Sequence, residues 1–310
     1  MEGRLEHPGE AAGSANDGPD QGPLLDLADR LLPRLEANLP LPVSEQIAAW
    51  QAYYDGCAPD LPSRLYTDYG QIEGGWRGIA ESRIFPKLPE LLPGMKLALA
   101  NLHKVCPDVC NRATSALGLT RPPLVVAYVG LGNGAGWATT WHGRPAVLVG
   151  LENVADLGWQ HTDALRGLLG HEIGHLLMMQ VRGGIESLTE DPLLALYEEG
   201  FAQHCEHVVM GRESWHCSSQ AGWIDWCAAH EAELARMYLN AMSDREEWRR
   251  FFGSWFDVEG WRQTGYFLGC RFAQRECRSC SLAQLASWPK GRIKESVRAF
   301  LNDLTDGPAP

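Results

Sequence analysis

Two histidines and a glutamate in residues 168–178, LLGHEIGHLLM, have types and spacing suited to metal chemistry. His171 and His175 are four residues apart, so on a helix they project from the same side, one above the other. Two imidazoles placed in this way can bind one zinc ion. Glu172 is offset by about 100° from His171 on a helix, so it can reach a water on the metal without being a ligand. The pattern predicts zinc-dependent hydrolysis with Glu172 as general base.

The alternative interpretation of this segment is a buried helix whose histidines are core residues. A third metal ligand would separate the two interpretations. Downstream, residues 196–207 read LYEEGFAQHCEH, in which the acidic pair Glu198 and Glu199 precedes Gly200 and a helical pattern follows.

This combination, His-Glu-x-x-His and then a later helix with Glu-Gly-Phe-Ala, resembles the gluzincin zinc metallopeptidases. In their aminopeptidase branch the sequence Asn-Glu-Gly-Phe-Ala stands in this place, and the glutamate before the glycine is the third zinc ligand. The resemblance therefore implies that Glu199 completes the ligand set, with one zinc ion per chain. Glu198 stands where that branch has asparagine. The 23 residues between His175 and Glu199 exceed the aminopeptidase spacing, so the connecting loop must differ.

Residues 120–275 are also similar to a set of bacterial predicted zinc-dependent peptidases of unknown substrate. That set shares a glycine-rich hairpin, a Gly-Leu-Glu strand end, the zinc helix, a Glu-Glu-Gly helix and a later Gly-Tyr-x-x-Gly. The counterparts here include residues 150–152, 198–200 and 265–269. The similarity implies a zincin-like, thermolysin-like catalytic core.

Further residues are candidates for supporting roles. Zinc-bound histidines usually donate their second N–H to a carboxylate or carbonyl, and Glu206 shares the helix face of Glu199. Glu206 is therefore predicted to orient His171 or His175, with Gln203 and His207 as competing positions and a solvated acidic face as the alternative.

Amide hydrolysis builds negative charge on the carbonyl oxygen, and a neutral donor commonly stabilises it. In gluzincins this donor is a tyrosine or histidine from the C-terminal helices, which implies Tyr266 here. Tyr238 and His230 are alternative donors. The structural alternative is that Tyr266 is an ordinary core residue without a catalytic role.

Peptidases of this class hold their substrate as an added strand along an exposed sheet edge. The segments GAGWATTW and AVLVGLEN are the candidates for that edge, which makes Gly136 and Trp137 predicted substrate-binding residues. A Gly-x-Met-Glu-Asn strand of the aminopeptidase branch binds the substrate's free amine through its glutamate. The similar Gly-Leu-Glu-Asn here implies Glu152 as an amine anchor, with a strand-end carboxylate that caps the next turn as the alternative.

The elements that must position these residues follow from hydrophobic periodicity. Residues 24–120 have mostly helical spacing, the runs LVVAYV, WATTW and AVLVGL predict a small antiparallel or mixed sheet between about 123 and 153, and helical patterns resume at about 161. The class is thus α+β and mostly helical. The predicted regions are a disordered tail (1–23), an N-terminal helical region (24–120), the sheet with the zinc helix (121–180) and a C-terminal helical lobe with the third ligand (181–305), the last two forming one catalytic unit.

The segment GLGNGA, residues 130–135, is interpreted as a glycine-rich hairpin because no helix follows it to receive a dinucleotide.

The composition and charge of the chain limit the classes of partner that it is expected to bind. The chain has 310 residues and a net charge of −12, which argues against nucleic acid or an anionic membrane surface as the main partner. No apolar run approaches the roughly 20 residues of a membrane helix, and residues 1–23 lack the apolar core of a secretory signal, so a cytoplasmic location is expected. The nine cysteines are expected to be mostly free thiols, with Cys106/Cys110 and Cys277/Cys280 as an alternative second zinc site.

The predicted function is therefore a zinc metallopeptidase acting on a peptide or protein substrate. Aminopeptidase-like trimming of short peptides is one alternative. A catalytically silent zinc-binding scaffold is another, although a scaffold has no need of Glu172 as a base. A metal-free helical interaction protein is the third.

Overall fold

The structure of this chain is a computed structural model, which describes residues 22–67, 69–70, 73–184, 191–217, 220–253 and 256–307. The tail predicted over residues 1–23 lies outside these ranges except for its last two residues. The described part is mostly helical with one small mixed sheet, which confirms the predicted α+β class. Within these ranges, none of the helices combines the length and the apolar character that crossing a bilayer requires.

Four strands form the sheet, in the order β1-β2-β4-β3. They are β1 (Leu24–Asp26), β2 (Leu124–Tyr128), β3 (Gly136–Trp141) and β4 (Arg144–Gly150). The first three in spatial order run parallel, whereas β3 is antiparallel to β4. Every residue of β2 is buried, as is typical of a parallel strand inside a covered sheet. Two segments were expected to form an exposed sheet edge. The segment GAGWATTW, which forms β3, lies at an edge, whereas AVLVGLEN contributes to β4 inside the sheet.

The tight hairpin of this sheet joins β3 to β4. His142 and Gly143 have φ values of 46° and 75°, which are the left-handed conformations of a two-residue type I′ turn. The prediction that residues 130–135 form a hairpin was wrong, because this segment joins β2 to β3 and β4 lies between those two strands. The pairing partner of a strand is set by contacts distant in sequence, which the spacing of β-rich runs does not reveal.

Helices fill most of the chain before β2. They are α1 (Leu31–Asn38), α2 (Val43–Cys57), α3 (Asp60–Thr67), α4 (Gly75–Ile79), a π-helical turn (Ala80–Ile84), a 3-10 turn (Phe85–Lys87) and α5 (Leu88–Leu117). The helical character of this region is as predicted, but strand β1 was not foreseen. Its leucines belong to a run with helical spacing, and pairing with β2 at Leu24↔Val125 overrides that local preference.

Helices also follow the sheet. They are α6 (Leu151–Asp156), α7 (Thr162–Arg182), α8 (Pro192–Met210), α9 (Trp223–Ala229), α10 (Glu231–Ala241), α11 (Arg245–Arg249), α12 (Thr264–Glu276), α13 (Leu282–Ala286) and α14 (Lys290–Thr305). Helix α7 is central, since it packs against β3, β4, α5 and α8. Its predicted apolar face is buried throughout, at Leu165, Leu168, Leu169, Ile173, Leu176 and Leu177.

A contact between two glycines brings α8 and α12 unusually close together. A Cβ atom added to Gly200 would lie 1.9 Å from the carbonyl carbon of Gly269, and one added to Gly269 would lie 2.2 Å from the carbonyl oxygen of Leu196. No side chain fits at either position. Because Glu199 precedes Gly200 and Tyr266 lies three residues before Gly269, this backbone contact also fixes the distance between two predicted site residues.

Candidate metal centre

Helix α7 presents His171 and His175 on one side, as their spacing predicted. The two Nε2 atoms are 3.3 Å apart. The side chain of His171 is 3% exposed and that of His175 is 15% exposed, so the pair faces a largely enclosed space. Two imidazole nitrogens that face each other at this distance repel through their lone pairs unless a proton or a metal ion lies between them.

Helix α8 brings Glu199 to the same point. Its Oε2 atom lies 3.3 Å from His171 Nε2 and 3.7 Å from His175 Nε2. Ligands at about 2.0–2.1 Å from a tetrahedral zinc ion are separated by about 3.3 Å, so the three donor atoms fit the ligand set of such an ion. The loop that was expected to differ from the aminopeptidases falls largely on residues 185–190, outside the described residues.

Electrostatic coupling within this group is strong. Burial alone would raise the pKa of Glu199, but its hydrogen bonds with the two histidines outweigh burial and hold the pKa well below the usual range. Burial would likewise lower the pKa of His175, yet the hydrogen bond and charge of Glu199 raise it to about 9. Burial prevails at His171, whose pKa is lowered. A carboxylate that draws a proton onto a neighbouring imidazole marks a place that favours positive charge, which a divalent cation can supply instead.

Glu172 lies between the two histidines and strand β3. It is 7% exposed, and its Cγ and Oε1 atoms lie so close to Gly136 that a Cβ there would meet them at 2.8 and 2.9 Å. Its negative charge acts on both His171 and His175. The absence of a side chain at Gly136 therefore makes room for this carboxylate beside the edge strand.

Tyr266, in the first turn of α12, also lies at the site. Its ring centroid is 5.6 Å from that of His171. Burial, followed by the negative charges of Glu199 and Glu172, raises the pKa of the Tyr266 hydroxyl well above its usual value. The hydroxyl is therefore a protonated donor. The two alternatives are bonded to backbone elsewhere: the Tyr238 hydroxyl donates to Pro192 O at 2.6 Å, and His230 Nδ1 contacts Trp226 O at 2.8 Å.

The carboxylate of Glu206 is fully buried and accepts four hydrogen bonds. Its donors are His216 Nδ1 (2.6 Å), the His216 backbone N–H (2.9 Å), Ser214 Oγ (2.7 Å) and Gln203 Nε2 (2.8 Å). Burial would raise the pKa of Glu206, but the charge of His216 and these bonds lower it. None of the four donors belongs to a predicted zinc ligand, and two of them belong to His216.

His216 links this buried network to the metal centre. Its ring centroid lies 5.0 Å from that of His171, and Glu206, His216 and His171 each bring an atom within 4.8 Å of the others. His171 Nδ1 is buried with no hydrogen-bond partner among the described residues. Sequence analysis missed His216, because it lies in the segment after α8 and belongs to no metal-binding spacing. Of the competing positions, Gln203 belongs to this network, whereas His207 faces Gln274 and Cys270.

Glu152 and Trp137 are both held by contacts with strand β2 or with the loop that follows it. Glu152 is 1% exposed, and its carboxylate accepts the backbone N–H groups of Gly130 at 2.7 Å and Gly132 at 3.0 Å. Burial raises its pKa despite these two bonds. Trp137 Nε1 donates to the hydroxyl of Tyr128 at 2.9 Å. The burial and the two bonds favour a structural role over an amine anchor, although the carboxylate holds the loop after β2 and not the next turn, which was the expected alternative.

The edge of β3 carries backbone groups that a peptide could use. The alternation of the β3–β4 ladder directs the N–H and C=O groups of Gly136, Ala138 and Thr140 away from β4. Arg64 of α3 covers the far end, since its guanidinium donates to Thr140 O at 3.0 Å. Among the described residues, Gly136 and Ala138 thus form the uncovered part of the edge, and Gly136 lies beside Glu172.

Comparisons of this chain with protein-family profiles, with curated proteins and with solved structures returned no match. The functional interpretation therefore depends on the side chains of the site and on their geometry.

Proposed function

We propose that this protein is a zinc-dependent metallopeptidase. The observation that supports this most is the convergence of His171, His175 and Glu199, whose donor atoms lie 3.3–3.7 Å apart. When bound there, zinc would lower the pKa of a water molecule and polarise the carbonyl group of the scissile bond. Two histidines and one glutamate leave a fourth position open, which is typical of catalytic rather than structural zinc sites.

Glu172 is the general base in this proposal. Its carboxylate accepts a proton from the attacking water and passes it to the leaving amine, so that one group serves both halves of the reaction. Its position next to Gly136 supports this role, because a peptide paired with β3 would carry its scissile bond past the carboxylate.

Two further groups of this chain act on the substrate. An extended peptide pairs with the outward backbone groups of Gly136 and Ala138 and so adds a strand to the sheet. Tyr266 donates a hydrogen bond to the carbonyl oxygen as negative charge develops on it. Because burial and the nearby carboxylates raise the pKa of Tyr266, this donor keeps its proton at neutral pH.

Cleavage of an unbiased peptide library by zinc-replete protein tests the proposal. Wild-type protein should cleave, and Glu172→Gln should lower kcat/KM by about 10²–10⁴-fold with unchanged zinc content, since the variant loses only the base. Glu81→Gln, at an exposed glutamate far along the chain from the site, is the matched control and should keep full activity. Wild-type protein that binds zinc but is as inert as Glu172→Gln would refute the peptidase proposal and leave the silent zinc-binding scaffold. If wild-type protein binds no zinc, the remaining hypothesis is the metal-free helical interaction protein.

A further inference from the structure

A second group of metal-binding side chains lies at the interface of α8 and α12, formed by His204, His207 and Cys270. One donor atom from each residue lies within 4.8 Å of the other two, and His207 Nε2 is 4.0 Å from Cys270 Sγ. The two histidines are three residues apart on α8, so they share one face of that helix. The group shares no residue with His171, His175 and Glu199.

The glycine contact between the two helices explains how these side chains meet. Gly200 and Gly269 let the two backbones touch, and the histidines lie one to two turns beyond Gly200 on α8. Cys270 directly follows Gly269, so its thiol starts from the closest point of the two helices. The same contact that positions Glu199 and Tyr266 therefore brings a thiol to two imidazoles.

One buried polar atom of this group has no partner in the part of the chain that the structure describes. His204 Nδ1 is buried and has no hydrogen-bond partner among the described residues. The Cys270 side chain is fully buried and His207 is 8% exposed. Buried nitrogen and sulfur donors without sufficient partners cost free energy, and a metal ion shared among them removes that cost.

The surroundings of His207 suit a ligand. Gln274 Nε2 lies 3.3 Å from His207 Nδ1, and when the side-chain amide is turned over, its oxygen accepts a hydrogen bond from the Nδ1–H group. That arrangement leaves Nε2, the nitrogen that faces Cys270, free to bind a metal ion. The indole ring of Trp215 packs edge-on against the imidazole at 4.7 Å and holds its orientation.

We propose that His204, His207 and Cys270 bind a second divalent ion of the thiophilic type, zinc above all. Nitrogen and sulfur ligands of tetrahedral zinc are separated by about 3.3–3.6 Å, so the present 4.0 Å between His207 and Cys270 closes by a few tenths of an ångström on binding. Binding releases the thiol proton to solvent as the Zn–S bond forms. The ion cross-links the two helices that carry Glu199 and Tyr266.

Cobalt titration of the metal-free full chain tests this second site, because a cobalt–thiolate bond gives a near-ultraviolet charge-transfer band that histidine and carboxylate ligands do not give. Wild-type protein should bind about two cobalt ions per chain and show the band. Cys270→Ser should lose the band and about one of the two ions. The control Cys227→Ser, at another fully buried cysteine, should keep both. His175→Ala should lose one ion but keep the band, so a failure of the first site is distinguishable from a failure of the second.

Two results would overturn the second site. The first is that wild-type protein binds cobalt without any thiolate band, which would make the three side chains ordinary core residues. This measurement uses wild-type protein alone, so it does not depend on whether a variant folds. The other is a band of undiminished strength in Cys270→Ser, which would assign the thiolate to a different cysteine.

Discussion

At the residue scale, Tyr266 carries a prediction that separates catalysis from binding. Tyr266→Phe removes one hydrogen-bond donor to the developing oxyanion and should lower kcat by about 10²–10³-fold, while KM and zinc content change little. Tyr53→Phe, on helix α2, is the matched control and should have wild-type kinetics. Steady-state kinetics on a peptide taken from the library make the measurement. An equal loss in both variants, or a change confined to KM, would remove Tyr266 from the reaction.

Glu152 carries the opposite prediction, because its surroundings are structural. In Glu152→Gln one oxygen is replaced by an NH₂ group that faces the N–H groups of Gly130 or Gly132, so the free energy of unfolding should fall by about 1–3 kcal/mol. The ratio of kcat/KM for a free-amine peptide to that for its N-acetylated form should stay constant. A lost preference for free amines with unchanged stability would instead make Glu152 the amine anchor and the protein an aminopeptidase.

The residues of the candidate metal centre could be predicted from the sequence to different degrees. The spacing of His171 and His175 placed them correctly, since four residues make little more than one helical turn. Glu199 came from the resemblance to gluzincins, and the structure brings its carboxylate to both histidines. His216 could not be predicted from the sequence, because its position depends on how the segment after α8 folds back onto the buried Glu206. No periodicity encodes such a contact.

At the element scale, the approach of α8 to α12 brings Tyr266 towards Glu199 and brings Cys270 towards His204 and His207. Gly200→Ala forces a methyl group into the backbone of Gly269 and should lower the free energy of unfolding by about 3 kcal/mol or more. Gly291→Ala is the control, since nothing lies within 4 Å of a Cβ there and φ is not positive. It should be neutral or gain up to about 1 kcal/mol from helix propensity. Urea unfolding makes the measurement, and a Gly200→Ala variant as stable as wild type would show that the helices do not need this contact.

The elements also show where sequence patterns stop being informative. Helices α7 and α8 and the three strands between residues 124 and 150 follow from periodicity. The strand order does not follow from periodicity. The position of β4 between β2 and β3 depends on long-range pairing, and the strands are too similar in local sequence to predict that pairing. Strand β1 was missed for the same reason, since three residues of an apparently helical run gain more from pairing with β2.

At the scale of the whole molecule, both the N-terminal helical region and the later helices contribute to the surroundings of the β3 edge. The N-terminal helical region supplies Arg64, which covers one end of the β3 edge, while α7, α8 and α12 supply the metal centre beside the other end. The uncovered edge is therefore short, at Gly136 and Ala138. A peptide bound as proposed would therefore pair with the sheet over only a few residues.

The central claim is that His171, His175 and Glu199 together bind one zinc ion, and anomalous diffraction from crystals of the zinc-loaded protein tests it most directly. Data collected above and below the zinc absorption edge should give a peak at about 2.0–2.2 Å from Nε2 of both histidines and from a carboxylate oxygen of Glu199. Zinc-replete crystals in which no anomalous peak lies among these three side chains would contradict the account.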